Sequence, residues 1–297
     1  MAELELPGDP PRFLLIDKLT IVYATIIAAV ALTRLDVTTA NWGVAIGHIM
    51  MIALVLLVRR PGLGTVGRVV GDLYPAFILV ALYGSLDVLH GPLTLPVHDE
   101  LIIGWERAIF GGMPSEIWWQ KYPYPWLSTL LHGAYWGYYL VLPTPIFYFA
   151  FKGERENARR AILLEGGTFL FCYLIFVFFP VAGPYNYLPR PTGIVLDNPM
   201  ARLVYATLAD GNSYGAAFPS SHVAVSTAAV IAAFLGRRWL GWVLLVPAIL
   251  LAFGTVYCHM HYAIDAVVGV MVGITLPMLL LRFVRKDLEE VRGVGYR

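Results

Sequence analysis

Eight apolar stretches, each close to the length needed to cross a bilayer, set the limits on what this chain can fold into. A hydrocarbon core of about 30 Å takes roughly 20 helical residues at about 1.5 Å of rise each. The stretches run from Leu19 to Leu35, Trp42 to Val58, Leu73 to His90, Trp126 to Phe151, Ala161 to Val181, Ser221 to Leu235, Leu240 to Tyr257 and Tyr262 to Val284. The sixth is the shortest and is expected to extend past these ends. Composition agrees: 58% of the residues are hydrophobic and 14% are charged, against about half and about a quarter in soluble domains. The expected architecture is all-α, a polytopic membrane helical bundle of about eight transmembrane helices.

Eight spans place both termini on one side, and the distribution of Lys and Arg selects that side. One face collects Arg12, Lys18, Arg59, Arg60, Arg68, Lys152, Arg155, Arg159, Arg160, Arg237, Arg238, Arg282, Arg285, Lys286, Arg292 and Arg297. The other keeps only Arg34, Arg107, Lys121, Arg190 and Arg202. Both termini are therefore expected to be cytoplasmic, in a plasma or inner membrane. The acidic, proline-rich start lacks the basic region and short apolar core of a cleaved signal, so the first span is expected to be retained. A net charge of +1 gives a nucleic-acid partner nothing to bind. Cys172 and Cys258 sit in apolar runs without metal-ligand spacing and read as small buried hydrophobes.

Two long connections fall on the external side. Between the third and fourth spans, residues 97–112 place Leu101, Ile102, Trp105, Ala108 and Ile109 on one helical face, with Asp99, Glu100, Glu106 and Arg107 elsewhere. This reads as an amphipathic helix in the membrane interface, with Trp118 and Trp119 following at headgroup level; a lid or lipid entrance fits as well. The second connection, Ala182 to Ala217, opens with Gly183, Pro184, Pro189, Pro191 and Gly193, the composition of a fixed irregular loop.

That loop ends in Phe218-Pro219-Ser220-Ser221-His222, where the sixth span begins. Pro in a first turn and Ser at a cap mark a helix N-terminus, whose free N–H groups and dipole attract anions. His222 stands beside them, placed to give or take a proton; an ordinary capped helix with an interfacial His is the other reading. His261 and Asp265 are four residues apart at the external end of the last span and share one helical face. An Asp that accepts from one imidazole nitrogen leaves the other exposed as nucleophile or base, although a purely structural His–Asp bond has the same spacing. His259 and His261, two apart, point in different directions and make a poor metal pair. Asp87, His132 and Tyr135 sit near the external ends of their spans, where they would line a headgroup pocket or bond other helices.

Pro-Ser-x-His followed by His-x-x-x-Asp, one hairpin apart, resembles the second and third motifs of the type 2 phosphatidic acid phosphatase superfamily. Ala-Phe-Pro-Ser-Ser-His and the run from His259 to Gly269 are similar to its inositolphosphotransferase-like branch, which includes inositol phosphorylceramide synthase. So are Ile-Phe-Gly-Gly-Met-Pro-Ser at 109–115 and Phe-Pro-Val-Ala-Gly-Pro at 179–184. The resemblance covers about residues 73–285. It implies a six-helix catalytic core there, carrying the external helix at 97–112, after two accessory helices in 1–72 and before a cytoplasmic tail at 286–297. It implies that His261 is the nucleophile, oriented by Asp265, that His222 protonates the leaving alkoxide, and that Ser220 and Ser221 hold phosphoryl oxygens. His259 and Tyr262 would join the headgroup pocket, and neither metal nor cofactor is called for.

The chain departs from the phosphatase branch, whose first motif is Lys-x-x-x-x-x-x-Arg-Pro and which has an Arg six residues before the nucleophilic His. Arg190-Pro191 has Gly183 at the Lys position, and position 255 is Thr. Arg190 is the remaining candidate for a phosphate-binding cation, unless it meets lipid headgroups instead. Loss of two cations fits transfer better than hydrolysis. The implied activity is that of a lipid phosphotransferase working on phospholipid or sphingolipid headgroups at the external leaflet. A lipid phosphate or polyprenyl (di)phosphate phosphatase with the same site is the alternative. A proton-coupled transporter using the histidines as a relay is the other, but the inverted repeats such proteins often show are missing. The substrate partner is a membrane lipid, and the oligomeric state is open.

Overall fold

The computed structural model describes residues 13–35, 38–60, 62–90, 96–211 and 213–294. Arg12, Arg297 and the proline-rich start, all used in the charge reading, lie outside the described residues. The helices are α1 (Leu15–Thr33), α2 (Asn41–Val58), α3 (Gly64–His90), α4 (Asp99–Phe110), α5 (Pro114–Lys121), α6 (Pro125–Trp136), α7 (Tyr138–Val141), α8 (Pro143–Phe151), α9 (Arg155–Phe178), α10 (Pro184–Tyr187), α11 (Pro199–Gly211), α12 (Ser221–Gly236), α13 (Arg238–Tyr257) and α14 (Ala263–Val294). Helices satisfy their own backbone groups, which is what an apolar solvent demands. Six of them, in α1, α2, α3, α9, α13 and α14, are long and apolar enough to cross a membrane. The protein is an all-α, multi-pass helical bundle.

The remaining two expected spans differ in a way that bears on the site. Ser221–Gly236 is a shorter apolar helix of 16 residues. Trp126–Phe151 was expected as one helix and is instead interrupted at Gly137 and Leu142, giving α6, α7 and α8. Pro143 and Pro145 account for the break at Leu142, since a proline lacks the N–H that a continuous helix needs and its ring crowds the preceding turn. The backbone stays right-handed helical at both joints, so the pieces continue in sequence.

Packing divides the chain into two units, one ending at Leu89 and one starting at His90. In the first, Asp17 is fully buried near the start of α1. Its carboxylate accepts from Arg59 Nε at 2.7 Å and Nη2 at 2.9 Å, from Tyr74 Oη at 2.6 Å and from Leu14 N at 2.7 Å. This fork joins the start of α1 to the end of α2 and to α3.

In the second unit α12 is the centre, packed by α9, α13 and α14. Ala224, Ala228, Ala229, Ala232 and Ala233 make it thin enough for close approach. Gly269 and Gly273 on α14 complete the fit: a Cβ at Gly269 would stand 2.7 Å from Ser220 O, and one at Gly273 would stand 2.4 Å from Ala224 O. The loop before α10 meets the loop before α12 through a single parallel bridge, Val181 with Ala216. Val181 N donates to Gly215 O at 3.1 Å, and Ala217 N to Val181 O at 2.9 Å.

Asp17→Ala leaves Arg59 buried without its partner and is expected to cost about 3–5 kcal/mol. The measurement is the unfolding midpoint in detergent. The pair Asp17→Leu with Arg59→Met should recover most of the loss, and a wild-type midpoint for Asp17→Ala would show that the fork does not hold the first unit together.

Candidate active site

The turn from Cys258 to Tyr262 carries His261 between α13 and α14. Thr255 O accepts from both Met260 N and His261 N at 3.0 Å, closing the turn on the end of α13. His259 within it has φ +62°, a left-handed conformation uncommon outside glycine. Its Nδ1 lies 2.9 Å from Ser115 O at the start of α5, which pins the turn from outside. His261 itself is 4% exposed.

The His261 ring has a defined polarity. Its Nδ1 lies 2.9 Å from Ala217 O, a carbonyl that only accepts, so Nδ1 carries the hydrogen and Nε2 keeps a lone pair. That Nε2 faces His222 Nδ1 at 3.4 Å, and His222 Nε2 faces Tyr135 Oη at 3.4 Å. Tyr138, a residue the sequence reading did not select, packs its ring 4.5 Å from that of His222. The break at Gly137 lies between these two tyrosines. Burial first, and the neighbouring His222 second, hold the His261 imidazole down to about 3, against the pull of the Ala217 carbonyl. The ring is neutral at neutral pH.

Asp265 has a larger structural share than the sequence assigned it. Its Oδ2 stands 3.5 Å from His261 Nδ1 but accepts from Tyr262 N at 2.8 Å, the reciprocal bond of a residue three places into a helix. Ala217 O is the closer acceptor for His261. Ser220 caps α12, its Oγ accepting from Val223 N and its own N–H donating to Asp265 O at 3.0 Å. Ser221 opens α12, buried beside it. Among the described residues, the N–H groups of Ser221 and His222 have no acceptor, as expected of an open helix N-terminus.

α4 supplies what the sequence reading placed elsewhere. Residues 99, 102 and 106 share one helical face, and that face is turned inward: Asp99 and Glu106 are both 0% exposed. Leu101, Trp105 and Ile109 are the exposed residues, Ile109 at 61%. Glu106 accepts from Ala263 N at 3.0 Å and Ile264 N at 2.9 Å, capping α14. Asp99 accepts from Ala182 N at 2.7 Å, Gly183 N at 2.9 Å and Tyr262 Oη at 2.9 Å. Burial raises both carboxyls, while these N–H groups pull the other way. Asp99 and Glu106, seven apart on the face of Ile102, were the available signal.

The other expected residues have partners or surroundings of their own. Tyr262 gives its hydroxyl to Asp99, and His259 is tied to Ser115. Asp87 is exposed on α3 in the first unit. Arg190 is exposed, its guanidinium stacked 4.1 Å over Tyr185. Gly183 and Thr255 also have structural reasons for their identity. Gly183 has φ +80°, and a Cβ there would stand 2.8 Å from Ala217 Cβ, so no lysine fits this backbone. Thr255 is fully buried, its hydroxyl bonded to Ala252 O.

Glu106→Gln offers one acceptor oxygen to two N–H donors and is expected to cost about 1.5–3 kcal/mol. It should also disturb the His261 turn, read as a fall in turnover at temperatures where the variant is still folded; full turnover would remove Glu106 from the site's support. The neutral His261 ring should show the Nδ1–H tautomer by 15N NMR of histidine-labelled protein down to about pH 5, and a titration near the ordinary value of about 6.5 would contradict the geometry.

The model of the PAP2 superfamily matches residues 100–278. No curated protein and no solved structure matches the chain. The matched segment takes in α4, both histidines, Asp265 and Ser220, and covers more than half of the 297 residues. The chain belongs to the PAP2 superfamily.

Proposed function

We propose that this protein is an integral-membrane lipid phosphotransferase that acts on phospholipid or sphingolipid headgroups at the external leaflet, through a phosphohistidine on His261. The observation that carries the reading is the His222–His261 pair, in which the Ala217 carbonyl leaves the His261 Nε2 lone pair facing its neighbour. Superfamily membership supports phosphoryl chemistry in general.

In the first step His261 Nε2 forms a bond to phosphorus while the bond from phosphorus to the leaving oxygen breaks, and His222 gives that oxygen a proton. In the second an acceptor hydroxyl gives its proton to His222, its oxygen bonds to phosphorus, and the N–P electron pair returns to Nε2. Covalent catalysis splits one difficult displacement into two. A gap of 3.4 Å between the nitrogens leaves no room for phosphorus. His222, whose ring nitrogens make contacts of that length and whose ring lies against Tyr135 and Tyr138, turns aside to admit the phosphoryl group, while His261 keeps its 2.9 Å contact with Ala217 O. Ser220, Ser221 and the open N–H groups of α12 receive the phosphoryl oxygens.

Hydrolysis uses the same site with water as acceptor. Transfer is favoured because Gly183 and Thr255 stand where the phosphatase branch carries cations and are fixed there by backbone and burial. The external location rests on the distribution of Lys and Arg.

His261→Ala should abolish turnover of a lipid phosphate panel and labelling of the protein by a 32P donor. His222→Ala should cut turnover by about 10²–10⁴-fold, the usual contribution of a general acid. Retained labelling in His261→Ala would move the nucleophile elsewhere. Adding inositol, ceramide or diacylglycerol and following the phosphorylated product separates transfer from hydrolysis.

A further inference from the structure

The hydrogen on His261 Nδ1 sets the direction of the contacts beyond it. Ala217 O accepts that hydrogen at 2.9 Å, so His261 Nε2 is a lone pair. His222 Nδ1, 3.4 Å from that lone pair, must carry a hydrogen for the contact to be attractive. The other nitrogen of the ring, Nε2, lies 3.4 Å from Tyr135 Oη. Asp99, Glu106 and Asp265 are bonded to N–H and O–H groups of other residues, and among the described residues no carboxylate pairs with His222. A cationic ring would therefore lack the partner that a charge withdrawn from water requires. A neutral ring has its lone pair on Nε2, and the Tyr135 hydroxyl then donates to it. The chain of donors runs from Tyr135 to His222, from His222 to His261, and from His261 to the main chain. A neutral imidazole is a poor acid, because giving up its single ring hydrogen leaves an anion. His222 can protonate a leaving oxygen only as another proton reaches Nε2, and the Tyr135 hydroxyl is the group facing that nitrogen.

We propose that Tyr135 is a positioning residue for the proton steps: it acts through a neutral His222, holding the ring's hydrogen on Nδ1 and replacing it at Nε2 when it is spent. The assignment rests on the phosphotransferase reading of the histidine pair. In the first step the bond from His261 Nε2 to phosphorus forms as the bond to the leaving oxygen breaks. The hydrogen on His222 Nδ1 goes to that oxygen, and the Tyr135 hydroxyl proton goes to Nε2. His222 ends as the other neutral tautomer and Tyr135 as tyrosinate. His261, phosphorylated on Nε2 and protonated on Nδ1, gains a positive charge, so the two new charges offset one another across His222. In the second step the acceptor hydroxyl gives its proton to His222 Nδ1, and Nε2 returns one to the tyrosinate. The acceptor oxygen bonds to phosphorus, and the N–P electron pair returns to His261. Every proton is then back where it began. The Tyr135 ring is stacked on that of His222, 5.1 Å between centroids and 29° between planes, so it stays beside the imidazole as Nδ1 turns from His261 to the leaving oxygen.

The test uses full-length wild type and Tyr135→Phe in nanodiscs with two 32P-labelled probes. Dioctanoyl phosphatidic acid has an alkoxide that must be protonated to leave, whereas the nitrophenolate of 4-nitrophenyl phosphate leaves without a proton. Tyr135→Phe should slow transfer from phosphatidic acid about 10²-fold or more with little change in KM, the scale of a lost proton-transfer step. Its first-turnover burst of nitrophenolate should match the wild type, and labelled His261 should accumulate, because the second step still needs a base. Equal slowing with both leaving groups shows a merely structural tyrosine, and unchanged transfer from phosphatidic acid removes Tyr135 from the reaction; either overturns the assignment. 15N NMR of histidine-labelled protein, with His222 assigned by difference from His222→Ala, needs no turnover. Neutral His222 should carry its hydrogen on Nδ1 in the wild type and divide between tautomers in Tyr135→Phe. An imidazolium at neutral pH, or the same His222 signals in both proteins, overturns the assignment. Absence of label on His261 in the wild type overturns the phosphohistidine reading instead, and the spectra still decide whether Tyr135 sets the His222 tautomer.

Discussion

Two carboxylates on α4 hold the backbone that holds His261. Glu106 takes the first two N–H groups of α14, and Asp99 takes the N–H groups of Ala182 and Gly183 together with the Tyr262 hydroxyl. Each is fully buried, where an unpaired charge would be very costly, and each is satisfied by short charge-assisted bonds. Through Ala182 and Gly183 the support reaches Val181, which pairs with the segment ending at Ala217, whose carbonyl orients His261. α4 thus fixes His261 from both sides: through the turn that carries it and through the carbonyl that sets its tautomer.

The same helix turns Leu101, Trp105 and Ile109 outward, an apolar surface suited to lipid. An amphipathic helix on a soluble protein buries its apolar face; this one buries Asp99 and Glu106 around Ile102 and exposes most of its apolar residues. The inversion is physically reasonable only where the inner side is lined with backbone donors and the outer side meets a poor competitor for hydrogen bonds.

Much of this was legible in the sequence, and what was not has a common cause. Apolar length located the spans, and the Pro-Ser-x-His and His-x-x-x-Asp pieces located the residues that the fold brings to one place. The partner of His261 Nδ1 was not legible, because it is a main-chain carbonyl and every residue has one. The inward face of α4 was missed for a related reason: its partners are N–H groups on loops about 80 and 160 residues away, and a sequence gives no sign of which loops curl back. Trp126–Phe151 read as one span because the prolines that interrupt it leave the apolar pattern intact. Tyr135 and Tyr138, three residues apart, both lie against His222.

Two helix N-termini approach each other at the histidine pair, and they are not equivalent. At α14 the donors are already taken, Tyr262 N by Asp265 and the next two by Glu106. At α12 Ser220 N is used by Asp265 O, while the N–H groups of Ser221 and His222 remain open. The open N–H groups therefore lie on the His222 side, and in the proposed reaction His261 approaches a phosphoryl group held there from the filled side. In the proposed reaction, filling one terminus with acids sets the direction of attack without a cation from the Gly183 or Thr255 position, since the positive end of α12 has no carboxylate of its own to satisfy. On the proposed reading, the charge that a phosphatase-like site would place on two side chains is left to the backbone.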